Sequence, residues 1–175
     1  YAAFSARTHG FVKVKPTIYW NRGQDRFELV RDNPAAVPFN YHRTSVTGAN
    51  VDVWVETIAG KTVLGADVRN EDLLSTNLGE TRDNPKKVPG HDAEYKKGLN
   101  RTNYSIFLEH TYENRNITAS AGVAAVKNTG NSDGFKFYPG VNASWRFLGN
   151  WKLYAAYNSS LRMPTFTELY YSVGG

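Results

Sequence analysis

Cysteine is absent, so the chain can form neither a disulfide nor a thiolate metal site. Methionine is nearly absent: Met163 stands alone, and the chain opens on Tyr1. That opening leads us to expect a mature, processed or excised piece of something longer. Long apolar runs are missing as well. No stretch approaches the roughly 18 residues that a transmembrane helix needs, and no secretory leader is visible. Barrel strands stay open, because their apolar signal per segment is far weaker. Runs of one charge are missing too, the longest basic ones being Lys86-Lys87 and Lys96-Lys97. The net charge of +5 (21 basic minus 16 acidic residues) is therefore dispersed. A nucleic-acid footprint needs a clustered basic face, so no nucleic-acid partner is expected.

Catalytic motifs are absent: there is no Gly-x-Ser-x-Gly, no His-Glu-x-x-His and no P-loop. An enzyme on a barrel rim would need a nucleophile cluster, and Ser and His fall on different segments without a third partner. Neither enzymatic activity nor a cofactor is expected. His9, His42, His91 and His110 are scattered, and only His91-Asp92 sits among other carboxylates. The surrounding run from Glu80 to Lys97 is mixed in sign and reads as a solvated loop rather than a metal site.

Aromatic residues are plentiful at 14% of the chain, which excludes a disordered segment. The ordering of residues is dominated by a period of two. Trp151, Leu153, Ala155 and Tyr157 alternate with Lys152, Tyr154, Ala156 and Asn158. Val141, Ala143, Trp145 and Phe147 do the same, as do Ile117 to Val123, Tyr104 to Leu108, Val51 to Val55 and Leu64 to Val68. Such alternation predicts strands with one apolar and one polar face. The expected fold is all-β, an antiparallel up-and-down meander of about eight strands. These cover 1–7, 11–29, 43–57, 61–77, 101–113, 116–128, 135–147 and 151–162.

The expected connections alternate in length. Short ones fall near His9-Gly10, Ala59-Gly60, Glu113-Asn114-Arg115 and Leu148-Gly149-Asn150. Long ones fall at 30–42, 78–100 and 129–134, with a last one from 163. This sorting is that of outer-membrane barrels, which have short periplasmic turns and longer outer loops. Trp145, Phe147 and Trp151 flank a short turn, where amphipathic rings favour a membrane interface. The polar set (Asp52, Glu56, Asp67, Arg69, Glu109, Arg146, Lys152) would point into the lumen. Gly48, Gly65, Gly122, Gly140 and Ala156 lie on the same side and leave room for something to pack there. The Asn-x-Ser/Thr triplets at Asn100, Asn103, Asn116, Asn142 and Asn158 read as products of polar alternation. Pro16 and Pro139 fall inside predicted strands, where each leaves a ladder bond unmade or marks a bulge.

One segment goes beyond pattern. Leu161-Arg162-Met163-Pro164-Thr165-Phe166-Thr167-Glu168-Leu169-Tyr170 follows the strand from Trp151. Together they resemble the barrel signature of TonB-dependent outer-membrane receptors, Arg-x-Pro-Thr-x-x-Glu-Leu-Tyr after an alternating strand. Phe137-Tyr138-Pro139-Gly140-Val141 running into Trp145 is similar to the family as well. So is Phe27 to Pro34 followed by Asn40-Tyr41-His42-Arg43-Thr44. The likeness is to vitamin B12 and siderophore receptors of a Bacteroides-like bacterium.

The resemblance implies a wall of about 22 strands around an N-terminal plug. At about 22 residues per strand and connection, that wall needs roughly 480 residues. Residues 1–175 are thus expected to be a partial barrel, with the plug absent. The motif residues are Arg162, Pro164, Thr165, Glu168, Leu169 and Tyr170. Arg162 is expected to face the lumen, by parity with Lys152 and Tyr154, and to pair there with a plug carboxylate or with Glu168. Ligand contacts are expected from the outer loops 31–42, 79–100 and 129–134. The implied function is import of a scarce nutrient, such as an iron-siderophore or cobalamin, across the bacterial outer membrane. Its implied partners are the TonB energy-coupling complex (through the plug), the nutrient ligand and outer-membrane lipid. The alternative is a complete small eight-stranded outer-membrane barrel with an adhesion or structural role.

Overall fold

The computed structural model describes residues 2–8, 10–30, 32–33, 36–130, 134–149 and 151–170. Tyr1, His9, Arg31, Pro34, Ala35 and Asn150, the centre of the 129–134 loop and residues 171–175 therefore lie outside the described residues. Among the described residues there are nine strands and one short helix. The strands are β1 (Ala2–Ser5), β2 (Val12–Phe27), β3 (Asn40–Thr57), β4 (Gly60–Ser75), β5 (Glu80–Lys87), β6 (Glu94–Glu113), β7 (Ile117–Asn128), β8 (Lys136–Phe147) and β9 (Trp151–Asn158); the helix is α1 (Phe166–Tyr170). They form one antiparallel sheet in the order β1-β2-β3-β4-β6-β7-β8-β9, with β5 attached to β6. The path ends at β1 and β9, which do not pair with each other among the described residues. Among the described residues the sheet is thus open at both ends rather than closed into an eight-stranded barrel.

The register sorts side chains as the alternation predicts. On one face, three successive cross-strand rows over β2, β3, β4 and β6 are apolar. They are Val14–Val53–Leu64–Leu108, Pro16–Val51–Ala66–Ile106 and Ile18–Ala49–Val68–Tyr104. The band continues through Ala125–Phe137, Val123–Pro139 and Ala121–Val141–Tyr157. Ile18, Ile106, Val141 and Leu153 are between 47 and 62% exposed. A contiguous apolar face of this extent is far beyond what a monomer in water carries. In hydrocarbon it is favourable, because the strands inside the sheet pair their backbone groups with a neighbour on either side. Conventional core is correspondingly small. Tyr41, Leu74, Val88 and Tyr95 cluster at one end, with Phe39 and Ala93 against them.

The expected long loop 78–100 is corrected: it contains β5 and the first part of β6. The chain leaves β4 at Ser75, crosses β6 and returns on its other edge, so that Glu80 pairs with Gly98, which also pairs with Leu74. Gly79 (φ +101°) lies against the Gly98 carbonyl, in a backbone conformation and at an approach that a Cβ would forbid. Pro85 falls in the register shift between Thr81 and Lys86, where no ladder N–H is needed. This hairpin escapes a period-two reading because β5 is polar throughout and the first part of β6 contributes Tyr95 to the small core rather than a residue to the apolar band.

Pro16 and Pro139 cause no bulge. The Pro16 carbonyl accepts from Ala6 N, and the Pro139 carbonyl from Ser159 N. Each is the next rung after a strand's last regular pair, Ser5–Thr17 and Asn158–Gly140. The missing N–H halves that rung, so regular pairing stops there. This is why the predicted strands 1–7 and 151–162 end early, at Ser5 and Asn158.

Candidate functional site

The other face of the sheet is polar. Asp52, Glu56, Asp67, Arg69, Glu109, Arg146 and Lys152 all lie on it by register. Lys13 Nζ pairs with Glu56 at 2.9 Å, and the Tyr19 hydroxyl donates to Asp67 at 3.2 Å. Asn142 donates to Ser120 Oγ and accepts from Asn158 Nδ2, so two of the Asn-x-Ser/Thr asparagines are rungs of one polar ladder. The room at the glycines is taken by this chain's own side chains. A Cβ on Gly48 would overlap the Tyr19 ring, and one on Gly65 the Phe107 ring.

A largely buried charged group sits at the end of this face away from the short turns. Both Glu71 oxygens are engaged, Oε1 by Arg69 Nη2 at 3.0 Å and Oε2 by Arg101 Nε at 2.5 Å. Glu71 and Arg101 side chains are each only 12% exposed. Arg101 Nη1 also donates to the Pro164 carbonyl at 2.8 Å, and its guanidinium lies 4.3 Å from the Phe166 ring centroid. One arginine thus ties the wall to the segment that leaves β9.

That segment ends in α1 through a reciprocal cap. The Thr165 amide donates to Glu168 Oε2 at 2.7 Å, and the Glu168 amide donates to Thr165 Oγ1 at 3.2 Å. This is a capping box, with Thr at the N-cap and Glu three residues on. The second Glu168 oxygen, Oε1, accepts from Arg162 Nη2 at 2.7 Å. The amide of Thr165 first, and the Arg162 guanidinium next, hold the Glu168 carboxyl below its ordinary range. Both ends of this pair are well exposed, so it orients more than it stabilises.

Beneath α1, a cavity of about 560 Å³ opens between the helix and the ends of β2, β3, β4 and β6. Its apolar lining is Phe27, Val46, Leu73, Leu78 and Phe166; its polar lining includes Asp25, His42, Glu71 and Arg101. Of the residues expected from sequence, Thr165 lines it directly, together with Asn40 and His42 from the loop 31–42. Pro164 supplies the carbonyl that Arg101 holds. Glu168 and Arg162 stand outside, and Leu169 and Tyr170 are half exposed. Arg162 lies beyond the end of β9, so strand parity does not extend to it, and Glu168 is the partner it meets. The segment 79–100 builds the small outer core instead, where Tyr41 and His91 rings stack at 4.7 Å. Thr129 extends the β6–β7 pairing one rung past Asn128: its amide donates to the Thr102 carbonyl, and its Oγ1 accepts from the Thr102 amide.

Sequence reading missed Asp25, Phe27, Glu71 and Arg101. Glu71 shares parity with Asp67 and Arg69 and was within reach of the alternation argument. Arg101 needed the register across the β5 excursion.

Neither a curated protein nor a solved structure matches the chain. The family model described as TonB dependent receptor-like, beta-barrel matches residues 3–175. With its two-faced antiparallel sheet and a match over nearly its whole length, the chain belongs to the TonB-dependent receptor-like β-barrel family.

Proposed function

We propose that this chain forms part of the wall of a bacterial outer-membrane transporter that binds a scarce nutrient, an iron chelate or cobalamin or the like, and imports it. The family is one of outer-membrane transport barrels rather than enzymes, and import energy would come from the TonB complex acting on a plug inside a wall of about 22 strands. The apolar band would face lipid and the polar face would line the lumen. The observation that carries the reading is the cavity under α1. It combines aromatic and aliphatic walls with a few convergent charged groups, as small-molecule sites do. It also opens on the lumen face at the long-connection end, where an incoming ligand would arrive. In this reading Phe27, Leu73 and Phe166 contact the apolar part of the ligand, and Arg101, Asp25 and His42 orient its polar groups.

The test is deletion of the gene in the source bacterium, with growth measured on single iron chelates and on cobalamin as the limiting nutrient. Loss of growth on one of them, restored by the wild-type gene but not by a Phe166→Asp, Arg101→Ala variant, is expected. Unchanged growth on all of them, together with no nutrient binding by the purified protein, would overturn the proposal.

A further inference from the structure

One cross-strand row at the cavity under α1 reads Asp25–His42–Ser75 across β2, β3 and β4. Directly opposed residues share a face of the sheet, so the three side chains stand side by side. The residue types are those of a hydrolytic triad, but Ser75 is fully buried and its Oγ is already committed. That oxygen accepts from the Asn77 amide at 3.1 Å and from the Leu78 amide at 2.8 Å. A hydroxyl has two acceptor lone pairs and one proton, so the two amides fill its acceptor capacity. His42 Nδ1 lies 2.9 Å from the same oxygen, and Asn77 Oδ1 lies 3.2 Å from it. A proton on Nδ1 would find no lone pair there. Nδ1 is therefore bare and accepts from the Ser75 hydroxyl, which holds the imidazole neutral with its one proton on Nε2. His42 lines the cavity, and its Nε2 has no acceptor among the described residues. Asp25 lines it too, with neither a hydrogen bond nor an ion pair among the described residues. Glu71 and Arg101, the other charged lining groups, are paired with each other.

We propose that His42 and Asp25 together read a neutral hydroxyl group on the ligand, alcoholic or phenolic, with Ser75 as the positioning residue that fixes the histidine. The proposal rests on the reading of this cavity as the nutrient site. The ligand hydroxyl accepts from His42 Nε2 and donates to the Asp25 carboxylate. A hydroxyl can do both at one atom, which neither a carboxylate nor an ammonium can. An anionic group at this place meets the unpaired Asp25 charge. A cationic group satisfies Asp25 but leaves the His42 N–H without an acceptor, at the cost of a desolvated donor. Discrimination against both ions is thus built into one adjacent donor and acceptor.

The experiment uses the intact protein with isotope-labelled histidine nitrogens, purified from outer membranes and reconstituted in lipid vesicles. The His42 signals are assigned by their loss in His42→Gln. At neutral pH, solid-state NMR is expected to show His42 with a bare Nδ1 and a protonated Nε2. Benzyl alcohol, benzoate and benzylammonium are then titrated as probes. All three share a ring that suits Phe27 and Phe166, and they differ in the polar group. Saturable shifts of the His42 nitrogens are expected at about tenfold lower concentration for the alcohol than for either ion. Asp25→Asn is expected to bring benzoate within about twofold of the alcohol, because the repelling charge is gone. A protonated Nδ1 in the wild-type protein overturns the proposal. So does an ion that binds as tightly as the alcohol, or a preference against benzoate unchanged in Asp25→Asn; these results leave the nutrient-site reading standing. Silence of His42 toward all three probes would instead overturn that reading, and this proposal with it.

Discussion

Arg101 on β6 donates to the carbonyl of Pro164 at 2.8 Å, across 63 residues of chain. The same guanidinium engages Glu71 and stacks on Phe166. Three contacts of different kinds thus converge on one side chain, and together they hold α1 over the cavity.

Removing the counter-charge tests this arrangement. Glu71→Gln should weaken α1 docking by roughly 1.5–3 kcal/mol, the worth of a hydrogen bond to a charged group. Arg101→Lys should not restore it, because an ammonium cannot satisfy Glu71, the Pro164 carbonyl and the Phe166 face together. Protease cleavage within 159–170 of the membrane-embedded protein reads the effect. Equal cleavage in wild type and both variants would count against it.

The capping box predicts a pH dependence. Glu168 is depressed in the folded state, chiefly by the Thr165 amide. A carboxylate of this kind contributes stability above its ordinary value of 4.5 and loses it as the pH falls through the lower folded value. Residues 1–175 have no cysteine, so a spin label on Leu169→Cys would be unique among them. We expect the label to be ordered at neutral pH and mobile in acid, with the transition absent in Glu168→Gln. A transition that persists in that variant would assign it to another group.

Adjacent residues on β6 separate the two faces. Ile106 lies in the apolar band and Ser105 on the polar face opposite Asp67. Ile106→Lys should cost about 2–4 kcal/mol of folding into a bilayer if it sits near the midplane, while Ser105→Lys should change little. Urea titration in liposomes, with folded and unfolded bands separated on unheated gels, measures both. Similar costs for the two would contradict the assignment of faces.

The glycine seats give a paired prediction. Gly48→Ala should destabilise the sheet by about 1–3 kcal/mol through overlap with Tyr19. Adding Tyr19→Ser should recover most of the loss, since the obstructing ring is gone. Additive losses in the double variant would show that the ring is not the cause.

Alternation made most strands legible, because lipid on one side and lumen on the other impose a period of two on residues such as Trp145 to Phe147 and Val51 to Val55. It failed at Glu80–Lys87, which is polar throughout, and at Glu94–Asn100, where Tyr95 alone among its side chains is buried, in the small outer core. It also overran at β9, where a halved rung opposite Pro139 stops regular pairing before Arg162. Thr165 and Glu168 were singled out by resemblance, but their reciprocal hydrogen bonds give those positions a physical role.

The order of residues alone determined the strand class, the two faces and the absence of thiol chemistry, since these follow from side-chain parity and composition. Tertiary structure decided which charges meet. Glu71, Arg101 and Pro164 come together only when β4 and β6 pair across the β5 excursion and α1 folds back over them. That registration depends on cross-strand hydrogen bonding between distant segments, which no local period encodes.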